Sequence, residues 1–270
     1  MDYIFLLLIG LLAGTVGSLV GLGGGIIVVP LLVGLGNLSF LHTVSPQMAV
    51  GTSMVTVLFT GLSSTLTYMK LKRVDYKSGL VLFIGSGPAG ILGSYVNKFM
   101  NLQTFNLYFG SFMILVALLL IVRNRLKPLP LTGKGVWRRT FTDGERTMEY
   151  GFNPWLAILI SVAVGFISGL FGIGGGSLLV PAMVLLFSFP PHVAVATSMF
   201  ILFLSAIVSS GTHIALGNVN WLYAAALIPG AWFGGKLGAY INTRLSGQAV
   251  INALRITLIL VGIRLIWSAV

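Results

Sequence analysis

Gly21-Leu22-Gly23-Gly24-Gly25-Ile26-Ile27-Val28-Val29-Pro30 is followed 151 positions later by Gly172-Ile173-Gly174-Gly175-Gly176-Ser177-Leu178-Leu179-Val180-Pro181, and each copy lies inside a long apolar run. A glycine cluster at membrane depth is tolerated only where its unpaired backbone groups face protein or a water-filled cavity. Interrupted helices at matching points of two halves are also the best sequence pointer to a transporter binding site. The pair therefore predicts a duplicated membrane chain with one broken helix per half.

The rest of the chain agrees with that solvent. Hydrophobic residues make up 56% and charged residues 8%, and the mean hydropathy is +1.00, which is a polytopic membrane composition. The first residues, Met1-Asp2-Tyr3, lack the basic stretch of a secretory signal, so the first segment is expected to be retained. The net charge of +11 comes largely from two clusters, Lys70 to Lys77 and Arg123 to Arg146. Basic residues in short loops beside apolar spans mark cytoplasmic flanks near anionic lipid, a more economical reading than a nucleic-acid partner. There is no cysteine, and all five acids sit at the N-terminus or in the basic loops. Nothing predicts a metal site or a cofactor.

Eight apolar segments can be drawn, at about 3–35, 47–69, 78–97, 105–122, 154–187, 192–216, 221–241 and 248–268, with about 20 residues to a helical span. They predict an all-α integral membrane protein of two four-segment repeats, 1–122 and 154–270, each opening with a glycine-broken helix. Between them, 123–153 contains prolines, glycines and most of the charge without apolar periodicity, and is expected to be a basic polar linker loop. The duplication continues past the glycines. Thr52-Ser53-Met54 matches Thr197-Ser198-Met199, and Gly90, Gly93, Tyr95 and Asn97 match Gly235, Gly238, Tyr240 and Asn242.

The first segment of each half would be about 50 Å long as one helix, against a hydrocarbon core of about 30 Å. It must break. A crossing with a trailing half-helix gives eight crossings and parallel repeats. A re-entrant hairpin gives three crossings per half and inverted repeats. The basic loop 70–77 corresponds to the uncharged Gly217-Asn218-Val219-Asn220, an asymmetry that favours the inverted arrangement.

Helices starting just after Gly25 and Gly176 would aim unpaired N–H groups and partial positive charge into the gap, which suits an anion. Pro30 and Pro181 fit near such a helix start. Close helix packing is the plainer role for single glycines; two matched copies favour a site lining, on Gly23, Gly24, Gly25, Gly174, Gly175 and Gly176. Thr52, Ser53, Thr197 and Ser198 are expected to add hydroxyls facing that gap, the alternative being bonds to their own helix backbone. Lys236, inside an apolar segment, is a candidate for drawing anions or for snorkelling to the interface. His213 is a candidate proton carrier if transport is proton-coupled, although its segment-end position suggests an interfacial handle. A nucleotide-binding loop is excluded, because no Lys-Ser or Lys-Thr follows the glycines.

The paired Gly-x-Gly-Gly-Gly-x-x-x-x-Pro, the following Thr-Ser-Met and the eight segments resemble the TauE/SafE sulfite exporter family over nearly the whole chain. The resemblance implies a transporter of sulfite, sulfonates or other sulfur-containing or organic anions in the cell membrane. Members differ in substrate and direction. A small anionic substrate, the lipid bilayer and alternating access of one repeat against the other are the resulting expectations, with a glycine-lined anion channel, a membrane scaffold or an enzyme as rival classes. An enzyme would need an acid, base or activated nucleophile within the membrane, and only isolated Ser, Thr and His are there.

Overall fold

The computed structural model describes residues 2–37, 44–121, 135–143, 146–176 and 178–268. His42, most of the first part of the central loop and Ser177 of the second glycine motif lie outside the described residues. The elements are helices α1 (Asp2–Val20), α2 (Gly25–Asn37), α3 (Pro46–Lys70), α4 (Tyr76–Val96) and α5 (Leu102–Ile121), strands β1 (Trp137–Asp143) and β2 (Arg146–Phe152), then helices α6 (Pro154–Phe171), α7 (Leu179–Leu186), α8 (Pro191–Ala215), α9 (Trp221–Arg244) and α10 (Gly247–Trp267). A short 3₁₀ turn, Asn97–Phe99, follows α4.

Helix starts are set by side-chain caps. Ser45, Asp75, Asn153, Asn220 and Ser246 accept the N–H groups of Met48, Ser78, Trp155, Tyr223 and Ala249, supplying acceptors for donors that have no preceding turn. The expected breaks are present. Gly21, Gly23 and Gly24 take φ of +83°, +70° and +88°, and Gly172 and Gly174 take +75° and +87°, a region costly for any residue with a Cβ. The reversal caps the preceding helix: Leu22 and Gly23 N–H donate to the Gly17 carbonyl at 2.7 and 3.1 Å, and Gly172 and Ile173 N–H to the Ser168 carbonyl at 2.9 and 3.1 Å.

Two details differ from expectation. Helix α7 starts only at Leu179, three residues after Gly176. Pro30 lies inside α2 at its sixth position rather than at its start, whereas Pro181 occupies the third position of α7.

Helices from different halves interlock through glycine. A methyl group placed on Gly230, Gly234 or Gly238 of α9 would overlap the carbonyl oxygens of Leu7, Leu11 and Thr15 in α1. Gly93 and Gly169 bring α4 and α6 together in the same way, against the Phe166 and Gly90 carbonyls. In both pairs residue numbers rise together, so the helices run parallel at backbone contact, as small residues permit in membranes. Tyr68 at the end of α3 donates to the Ser18 carbonyl near the end of α1, so α3 runs with α1. The start of α3 meets the α8–α9 connection, where Gly51 abuts the Asn218 carbonyl. Beyond the other end of α3, Asp75 donates its N–H to Thr197 near the start of α8. Helices α3 and α8 are therefore antiparallel, and the 71–75 and 216–220 connections lie at opposite ends of the molecule. The bundle sorts into α1, α3 and α9 in one direction and α4, α6 and α8 in the other, not into first and second halves.

The outer faces carry apolar residues such as Ile4, Leu12, Ile84, Leu92, Leu159 and Leu260, all exposed. Among the described residues, six helical stretches are long and apolar enough to cross a membrane: Tyr3–Val20, Pro46–Lys70, Tyr76–Phe99, Pro154–Phe171, Pro191–Ala215 and Gly247–Trp267. Trp155, Trp221 and Trp267 sit exposed at helix ends, positions that suit interfacial anchors.

The central segment is more than a connecting loop. Strands β1 and β2 form an antiparallel hairpin in which Arg139 pairs with Tyr150 and Trp137 with Phe152. Phe152 packs its ring on Phe187 and Phe189, Tyr150 packs on Phe189, and the Gly151 N–H donates to the Phe187 carbonyl. The hairpin is thereby fixed to the connection between α7 and α8.

Candidate functional site

The two glycine breaks meet. A methyl group on Gly25 would lie 2.6 Å from the Gly172 carbonyl oxygen, and the Leu202 side chain of α8 fills the space beside both Gly23 and Gly174. Val57 of α3 touches the neighbourhood of Gly25 and Gly174. All six predicted glycines are buried.

Of the four predicted hydroxyls, the serines reach the breaks. Ser198 donates toward the Gly21 carbonyl at 2.8 Å and the Gly176 carbonyl at 2.9 Å. One hydroxyl has one proton, so this side chain serves a carbonyl from each half. Ser53 approaches the Gly172 carbonyl at 3.5 Å. The threonines act elsewhere. Thr52 Oγ1 accepts the Asn220 N–H at 2.9 Å and Thr197 Oγ1 accepts the Asp75 N–H at 3.1 Å. They pin the connections at the two ends of the bundle. Bonding to the own helix backbone occurs in Thr56, Thr60, Ser64 and Thr67.

Not every glycine amide is a spare donor in this conformation. The Gly23 N–H is spent on the Gly17 carbonyl, while the Gly24 carbonyl takes the N–H groups of Ile27 and Val28 at 2.9 and 3.0 Å. Gly25 and Ile26, the first two residues of α2, retain N–H groups with no preceding turn to accept them.

The serines Ser86 and Ser205, 3.4 Å apart, were not among the expected residues. A methyl group on Gly175 would lie 2.5 Å from Ser205 Oγ and 3.4 Å from Ser86 Cβ. Ser205 lies seven residues after Ser198, two helical turns along the same face, which is the signal that could have found it.

Lys236 is not brought to the breaks. It lies exposed on α9 with its ammonium 5.2 Å from the Trp232 ring centroid, the arrangement of a lysine that runs along an apolar surface. His213 is fully buried in the last turn of α8, and neither ring nitrogen has a hydrogen-bond partner among the described residues. The expectation of an interfacial handle is corrected, because a side chain with no exposed surface cannot reach an interface.

At the opposite end of α8, Asp75 is buried beneath the hairpin. Arg139 donates to both of its oxygens, at 3.2 and 2.6 Å, and the Tyr150 hydroxyl donates to Oδ2 at 2.9 Å. Burial by itself would raise the Asp75 carboxyl, but the bonds from Arg139, Ser78 and Tyr150 outweigh it and hold it below its ordinary range. Burial, then the neighbouring carboxylate, pushes the Tyr150 hydroxyl upward, so it stays a donor. The carboxylate in turn pushes the Arg139 guanidinium upward.

Apolar outer faces around a buried, doubled helix break define a multi-pass helical membrane protein of the transporter class. The family model for the sulfite exporter TauE/SafE matches residues 6–265. The chain belongs to the TauE/SafE sulfite exporter family. It is 52% identical to the probable membrane transporter protein YunE of Bacillus subtilis, covering 100% of this chain and 99% of that protein. It is 29% identical to YjnA of the same organism, also named a probable membrane transporter protein, covering 97% and 98%. A probable membrane transporter protein of Methanocaldococcus jannaschii is 28% identical over 89% of this chain and 86% of its own length. No solved structure matches the chain.

Proposed function

We propose that this protein carries a small anion, of the sulfite, sulfonate or related organic-anion class, across the cell membrane by alternating access, with the anion bound where the two glycine breaks meet. The observation that carries the proposal is the Ser198 hydroxyl, which spans carbonyls from both breaks at 2.8 and 2.9 Å. Two halves that converge on one hydroxyl form a place where a guest can be held between them. The start of α2 offers amide donors and partial positive charge to that place, and an exchange of internal bonds for bonds to the guest requires only small shifts.

The same reading takes 1–122 and 154–270 as inverted repeats, supported by the antiparallel α3 and α8 and by the matched roles of Thr52 and Thr197. It also revises which bodies move. Backbone contact joins α1 to α9 and α4 to α6, so the rocking units are α1–α3–α9 and α4–α6–α8, each drawn from both repeats. The 70–77 end, with its hairpin, is cytoplasmic by the basic-loop rule.

The test is flux of radiolabelled sulfite in proteoliposomes for the wild type and for Gly24→Val and Gly175→Val. Both variants are expected to lose most transport. Gly175→Val, whose added atoms meet the Ser205 side chain rather than backbone, is expected to stay monodisperse in detergent and is the decisive one, because Val at the positive φ of Gly24 also strains the fold. Wild-type flux with unchanged flux in both variants would remove the breaks from the mechanism, and flux that fails to saturate with substrate would point to a channel.

A further inference from the structure

We infer that the hairpin roofs a second anion site, a loading vestibule on the 70–77 face. This rests on the transport reading above. The site is a cavity of about 580 Å³ between the α3–α4 connection and the strands, lined among others by Lys72, Arg73, Lys77, Arg138, Arg139 and Glu149.

Charge is the first argument. Asp75 is already neutralised by Arg139, so the remaining cations outnumber Glu149, the other carboxylate of the lining. Low-dielectric walls lined by one sign of charge concentrate counter-ions and raise their local concentration.

An orphaned donor is the second. Arg73 lines the cavity and is partly exposed, and its Nη1 has no hydrogen-bond partner among the described residues, a costly condition for a cationic nitrogen. A guanidinium presents paired donors that match an oxyanion with two adjacent oxygens. The ligand class is therefore a small oxyanion, sulfate-like or carboxylate-like, rather than a halide.

Position is the third. Val193, in the same lining, lies five residues before Ser198 on α8, about 7.5 Å along the helix axis. Asp75 in the cavity floor bonds through its N–H to Thr197, the residue next to Ser198. The vestibule wall at Val193 thus lies about one and a half helical turns from Ser198, whose hydroxyl bonds both breaks. Strand residues form one side of the vestibule lining and are held through Arg139 and Tyr150.

The experiment is sulfate binding to the full chain in neutral detergent, by calorimetry at constant ionic strength. It needs no gradient, so it can fail while transport succeeds, and the reverse. Saturable wild-type binding is expected, with Arg73→Gln and Lys77→Gln each weakening it about tenfold, as loss of one charge-assisted hydrogen bond does. Arg73→Lys should retain more affinity than Arg73→Gln, which separates ligand contact from misfolding. Lys98→Gln, beyond the opposite end of α4, removes equal charge and should leave the affinity unchanged. Absence of saturable wild-type binding, or equal weakening in all variants including Lys98→Gln, overturns the site. Sulfate binding that vanishes in phosphatidylglycerol nanodiscs but persists in phosphatidylcholine nanodiscs would assign the cavity to lipid phosphate and overturn the vestibule.

Discussion

Ser198 holds two buried carbonyls with one proton, and its neighbour Thr197 holds the connection that carries Asp75. Adjacent residues of one doubled motif thus serve different structural ends. Ser198→Ala leaves both carbonyls short of a donor and should destabilise the folded protein by about 1–3 kcal/mol, read as a lower unfolding temperature in detergent. Thr67→Ala, whose hydroxyl bonds its own helix, should fall within about 0.5 kcal/mol of wild type. The doubling makes the serines visible in the sequence, because a hydroxyl repeated at the same place behind a repeated break marks a position that both halves use. Their division of labour with the threonines is hidden there, since residues one position apart on a helix point about 100° apart and nothing in one sequence fixes the helix rotation. Asp75 reads in the sequence as one more loop acid; its burial comes from a hairpin 64 residues away.

The breaks are legible as elements because segment length alone forbids a straight helix. The hairpin is harder to see, although Asp143-Gly144 followed by alternating Met148, Tyr150 and Phe152 is a hairpin pattern; the density of charge masks it. Its docking has a definite pH window. The Asp75 carboxyl is lowered in the folded state, so its contribution is present above the unfolded carboxylate value of about 3.9 and is lost as pH falls through the lower folded value. The Tyr150 hydroxyl is raised, so its contribution is complete below the ordinary phenol value of about 10 and is lost as pH rises above it through the folded value. Hydrogen exchange of the strands, residues 137–143 and 146–152, should therefore stay slow from about pH 4 to about pH 10. Arg139→Gln should speed that exchange across the whole window, since the buried Asp75 carboxylate loses its cationic partner. Unchanged exchange would mean that the aromatic contacts to Phe187 and Phe189 suffice to dock the hairpin.

At the scale of the molecule, helix direction gives the sharpest test. The chain contains no cysteine, so single cysteines report without background. Lys70→Cys and Asn218→Cys should label from opposite sides of sealed membranes; labelling from one side would end the inverted reading. The charge difference between the 70–77 and 217–220 connections points that way in the sequence alone. The pairing of α1 with α9 does not show there, because apolar helices with glycine on one face have many acceptable partners until the whole bundle is assembled.

That pairing bears on how the protein is made. The backbone groove that receives α1 is built by Gly230, Gly234 and Gly238 of α9, a helix made long after α1. During synthesis α1 has to wait in the bilayer or beside the insertion machinery, its glycine face open, until α9 arrives. Helix α6 has no such delay, because α4 is already present. The two halves are related in sequence yet mature by different schedules, and a chain cut before α9 would leave its first helix without the surface it was shaped to fit.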